Sequence, residues 1–149
     1  MTTYNVVRLL PRLSELGLNV KLVAVVSPEL FRLQPDAYRD KILSPADMMD
    51  MTYITNGARR LMRDWVQHRV ADEYAMSSDW DNRWRTGGTV DEVLEEAHLS
   101  REWLLRGIQR FVEDRSARLD RRFATAGPAL WTHECRRWPT VLSAATAAA

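Results

Sequence analysis

The sequence predicts a small α/β domain, with a short, mainly parallel sheet flanked by helices and a long C-terminal helix. Three observations carry that expectation. The run Val20-Lys21-Leu22-Val23-Ala24-Val25-Val26 is apolar and rich in β-branched residues, with Gly17 before it and Ser27-Pro28 after it, the pattern of a buried parallel strand. A second such run, Met51-Thr52-Tyr53-Ile54-Thr55, leads through Asn56-Gly57 into a helical pattern from Ala58 to Val70, so strand, small turn and helix form a βα unit. Between and around these runs, apolar residues recur at helical spacing.

Taken in order, Val6, Leu9, Leu10, Leu13 and Leu16 line one face of a helix that Thr2 or Thr3 caps and Gly17 ends. Pro11 supports a competing reading, in which Tyr4 to Leu10 is a short strand and a helix starts at Pro11. Ser27-Pro28-Glu29 opens a helical turn carrying Leu30, Phe31 and Leu33, and the segment from Pro35 to Asp40 opens another. Asp47 to Asp50 reads as a polar, Met-rich linker. The helix from Ala58 to Val70 buries Leu61, Met62, Trp65 and Val66, and Ala71 to Met76 forms a short strand. Ser77 to Gly88 has no periodicity and is a loop.

Thr89-Val90-Asp91-Glu92 is a capping box, in which the Thr side chain accepts the N–H three residues on and Glu92 reaches back. The helix it opens carries Val93, Leu94 and Ala97. Ser100 then caps a longer helix to about Arg122, with Trp103, Leu104, Ile108, Phe111, Val112 and Leu119 on one face and Gly107 as a weak point. From Ala124 the composition turns to Ala, Thr, Ser, Gly and Pro around an island from Trp131 to Trp138. The expected organisation is a domain over residues 1–123 and a flexible tail over 124–149.

A chain of 149 residues suits one domain with a real core. Its net charge of +1 gives no signature of nucleic-acid or membrane binding. Arg outnumbers Lys nineteen to two, the mark of a coding bias before it is a mark of anion binding. The single Cys135 excludes an internal disulfide framework and fits a reducing compartment. The start lacks a signal-peptide pattern, and no apolar run approaches the roughly 18 residues that span a bilayer. These features predict a cytoplasmic protein.

No residue is assigned a catalytic, cofactor-binding or metal-ligating role. His68, His98 and His133 are not spaced with one another or with carboxylates as a metal site requires, and Cys135 beside His133 and Glu134 reads as a bystander thiol. The chain has neither a P-loop nor a dinucleotide fingerprint. Two candidate surfaces remain. Gly57, with Arg59, Arg60 and Arg63, places backbone N–H groups and positive charge at a helix start, where a phosphate fits, although Arg residues in a first turn oppose the helix dipole unless an anion is present. Trp80, Arg83, Trp84 and Arg85 offer a stacking or partner-binding surface, against the plainer reading that the Trp rings plug the sheet edge.

The valine-rich run, Ser27, then Glu29-Leu30-Phe31, Gln34, Tyr38-Arg39 and Leu43-Ser44-Pro45, resembles the second strand and following segment of transketolase C-terminal domains. The resemblance resumes at the Gly, Thr cap and short helix near Thr89 and covers roughly Val6 to Ala97. It implies that the N-terminal segment is the helix preceding the strand, which favours the helix over the Tyr4–Leu10 strand. Thr55 and Asn56 stand where those enzymes typically carry a Glu before the Gly, and their Phe-Gly turn is missing from the Trp80 loop. The first strand of such domains also has no counterpart, so truncation, a strand at Tyr4–Leu10, or donation by another polypeptide is implied.

On this resemblance the chain is the part of a thiamine-diphosphate enzyme that does not hold the cofactor. Thiamine diphosphate and a divalent metal are expected on domains of a partner polypeptide, with homo-oligomerisation as a further contact. The alternative is a free-standing binding module for a phosphorylated sugar or another anion. Phosphoketolases and the first components of 2-oxoacid dehydrogenases share this last domain, and Glu29-Leu30-Phe31 argues for transketolase over them.

Overall fold

The computed structural model describes residues 2–66 and 68–124. The chain divides into two units, 1–114 and 115–149, and α8 (Arg115–Ala124) is the described part of the second. The first unit contains a mixed α/β arrangement with a small parallel sheet.

Helix α1 (Thr2–Glu15) forms as its apolar spacing predicts and runs through Pro11. The stripe of Val6, Leu9 and Leu13 is buried, so tertiary packing outweighs the missing proline N–H. The helix ends at Gly17, whose φ of +67° is the left-handed conformation that glycine adopts without steric cost. Against α1 packs α7 (Arg101–Glu113). Together with Ala97 and Leu99, which precede α7, the two helices bury one core of Val6, Leu9, Leu13, Leu104 and Ile108. Within it, Asn5 Nδ2 donates to the Leu99 carbonyl at 3.1 Å and satisfies a buried acceptor.

Three short helices follow the first loop. Helix α2 (Pro28–Arg32) starts at Ser27, whose Oγ accepts the Leu30 N–H at 3.2 Å, and α3 (Asp36–Ile42) follows Pro35. The Asp47–Asp50 segment departs from the expected linker: Asp47 to Met49 belong to α4 (Pro45–Met49), and Asp50 is its C-cap. Its capping box is local: Ser44 Oγ accepts the Asp47 N–H while the Asp47 carboxylate accepts the Ser44 N–H.

Strand β1 (Ile54–Thr55) pairs in parallel with β2 (Met76–Ser77), Ile54 opposite Met76 and Thr55 opposite Ser77. β1 is shorter than the run that suggested it, and the strand expected from Ala71 to Met76 is corrected: Ala71 to Glu73 belong to a helix, and β2 shares only Met76 with that run and takes in Ser77 from the expected loop. The connection corrects the expected helix over Ala58–Val70. A 3₁₀ helix spans Arg59–Met62, and α5 (Arg69–Glu73) starts anew, with His68 Nδ1 accepting the Ala71 N–H at 3.1 Å. Arg59, Arg60 and Arg63 at the start of one long helix would oppose its dipole, and α5 takes its cap from His68 and carries an acid, Asp72, in its first turn. Around this connection Tyr53, Val66 and Ala71 form a second small core with Met51, Met62, Trp65 and Ala75 against it.

The largest correction concerns Val20–Val26. It forms no strand, and among the described residues no strand pairs with it. Leu18 and Val20 touch the main core, but Leu22, Val25 and Val26 are exposed, Val26 by 96%. The composition expresses sheet propensity, and propensity without a neighbouring strand leaves backbone groups to solvent.

Helix α6 (Val90–Glu96) begins at Thr89 with the expected box, Thr89 Oγ1 accepting the Glu92 N–H and Glu92 accepting the Thr89 N–H. That N–H and the Thr89 hydroxyl hold the Glu92 carboxyl below the usual range. The expected continuous helix from Ser100 to about Arg122 is interrupted at Asp114, between α7 and α8. Gly107 has a packing reason: a Cβ there would lie 2.4 Å from Met76 Sδ, so its absence lets β2 approach α7. The Trp131–Trp138 island and His133, Glu134 and Cys135 lie outside the described residues.

Candidate functional site

At the C-terminal end of β1, Thr55 Oγ1 accepts the Gly57 N–H at 3.1 Å, which shapes the turn that the sequence marked for an anion. The turn already faces a carboxylate. Asp79, beyond β2, accepts the Arg59 backbone N–H at 3.1 Å through one oxygen and at 3.2 Å through the other. The Arg59 Nε lies 3.5 Å from the same carboxylate, and its Nη2 donates to Asn82 Oδ1 at 3.1 Å. Asp79 thus stands where an external anion would bind, and such an anion would have to displace it. Arg60 and Arg63 are exposed and do not join this pairing. Asp79 lies twenty residues from the turn in sequence, and no local signal links the two.

The four residues of the Trp80 loop separate into two roles. Arg85 is largely buried and anchors the loop: its Nε donates to the Ser78 carbonyl at 2.6 Å, its Nη1 to the Glu96 carbonyl at 3.2 Å, and its guanidinium pairs with Asp81. Trp80 lies flat against His98, ring centroids 4.0 Å apart, and His98 against Trp103 at 3.8 Å. Trp84, by contrast, is 97% exposed, and Arg83 is exposed beside it. Trp84 therefore does not plug the sheet edge. The sequence reading placed both Trp in one role and missed His98, whose ring joins Trp80 to Trp103.

A further surface had no place in the sequence reading. Val23, Val25 and Val26 line an apolar groove of about 330 Å³ with Leu30, Phe31 and Trp65. The groove's lining contains no charged residue. Phe31 and Trp65, both in the lining, have ring centroids 5.4 Å apart, and their sequence neighbours Arg32 and Asp64 form an ion pair at 2.8 Å. Lys21 likewise pairs with Asp47 at 2.6 Å. The apolar wall of the groove is its chemically distinctive feature.

Among the described residues no group of three His, Cys, Asp or Glu is placed to hold a metal, and no helix is long and apolar enough to cross a membrane. The buried phenol of Tyr53 is held well above its ordinary range, first by burial and then by the Asp72 carboxylate to which it donates, so its proton is held fast. Compared with protein-family models, curated proteins and solved structures, the chain matches none.

Proposed function

We propose that this chain is a non-catalytic module that works through protein contacts, as the C-terminal part of a transketolase-like thiamine-diphosphate enzyme. The observation that carries the reading is the Val20–Val26 run, which has the composition of an inner strand yet stands on the surface without a strand partner among the described residues. Exposed apolar residues of this kind gain free energy when a second polypeptide covers them, and unpaired backbone groups gain partners when a strand is added. The sequence resemblance from Ser27 to Pro45 adds the identity of the partner: a polypeptide with the cofactor-binding domains. The Gly57 turn, closed by Asp79, adds no weight to a phosphate-binding module.

The test is co-purification with such a polypeptide, followed by ketol transfer assayed with and without this chain. Retention is expected, and it should fall at least about tenfold for the Val23→Asp and Val25→Asp variants, a loss of about 1.4 kcal/mol. Ketol transfer by the purified chain alone would overturn the reading. So would equal retention of the Asp variants.

A further inference from the structure

From Asn19 to Val26 no backbone N–H or carbonyl makes a hydrogen bond among the described residues. The chain runs from Leu18 to Val25 without helix, turn or bend, and Leu22, Val25 and Val26 are exposed. Water satisfies these backbone groups while the run stays uncovered. A partner that covers the run removes that water, and a buried backbone group left without a new bond costs as much as a lost hydrogen bond.

That requirement selects the shape of the occupant. A helix uses its own N–H and carbonyl groups internally, so its side would cover the run and leave the run's groups unpaired. An extended segment brings a free row of both. The charge of the surroundings narrows the segment further. Lys21, the one charge in the run, is drawn to Asp47 at 2.6 Å. Neither Leu22 to Val26 nor the groove lining beside them holds a charge or a proline, the residues with which a sheet edge resists pairing. A complementary segment is therefore uncharged and apolar.

We propose that the partner covers the run by strand addition: an extended, uncharged segment of that polypeptide pairs its backbone with residues 22–26 and seats alternate apolar side chains in the groove that Val23 and Val25 share with Leu30, Phe31 and Trp65. This rests on the reading that a partner polypeptide covers the run, and it adds the form in which the partner does so. The backbone bonds supply the affinity and the groove supplies the choice of side chains.

The experiment reads amide hydrogen exchange of residues 19–26 by NMR, residue by residue, in the full chain alone and with the polypeptide that carries the cofactor-binding domains. An added strand bonds every second residue of its neighbour, so alternate amides between 22 and 26 should slow at least about tenfold on binding while those between them change less. Retention of the polypeptide with these amides unchanged, or all slowed equally, would overturn strand addition and leave partner binding standing. Alternating protection that appears in the chain alone and grows with its concentration would assign the edge to a second copy and overturn the proposal as well. Failure to retain the polypeptide at all would overturn the partner reading, and strand addition with it.

Discussion

The α1–α7 core and the stretch from Leu22 to Met49 contain similar amounts of apolar sequence but use it in opposite ways. In the core, α1 buries Val6, Leu9 and Leu13 against Leu104 and Ile108, and Leu104 is fully enclosed. In the stretch, α2, α3 and α4 bury no residue completely. Their order comes from caps at Ser27 and Ser44 and from the Lys21–Asp47 and Arg32–Asp64 ion pairs. Ion pairs this exposed contribute about 0–1 kcal/mol each. Stability is therefore concentrated in one region and available surface in the other.

Deleting core volume is the strongest way to break this contrast. Leu104→Ala should cost about 2–5 kcal/mol in denaturant unfolding, since a fully enclosed leucine leaves a cavity. A cost below about 1 kcal/mol would place the stabilising centre elsewhere. Asn5→Ala should follow with a loss of about 1–3 kcal/mol, because the buried Leu99 carbonyl would lose its donor. The smallest effect belongs to the exposed stretch: Val26→Thr should change unfolding free energy by no more than about 0.5 kcal/mol, as expected of a side chain 96% exposed. A large loss there would mean that Val26 is covered in solution and would redraw the comparison.

Lowering the pH probes the stretch. Burial raises the Asp47 pKa, but the Lys21 ammonium and Ser44 outweigh it and hold the carboxyl below its usual range. Asp47 contributes stability above its unfolded value, which is lost as pH falls through the lower folded value.

Much of the helical architecture was legible because its signals are local. The spacing of Val6, Leu9 and Leu13, the left-handed turn at Gly17 and the Thr89–Glu92 box each involve atoms within a few residues of one another. Helix lengths were less legible than helix faces: both the Ala58–Val70 and the Ser100–Arg122 patterns divided. The Ala58–Val70 pattern satisfied the apolar period and still divided into a 3₁₀ helix and a new helix capped by His68. For the candidate sites, the Gly57 turn and the Trp80 loop were visible as segments, while their partners were not. Asp79, Glu96 and His98 reach them across the fold.

Sequence by itself determined where α2, α3, α6 and α7 start, the turn at Gly17 and that a small parallel α/β unit forms, since backbone sterics and short-range hydrogen bonds act within one or two turns of chain. Tertiary structure alone decided that the valine-rich run faces outward, that Asp79 closes the anion turn and that His98 lies between two indoles. A strand needs a neighbour, a charge needs a counter-charge and a ring needs a face to stack on, and each of these comes from residues far away along the chain.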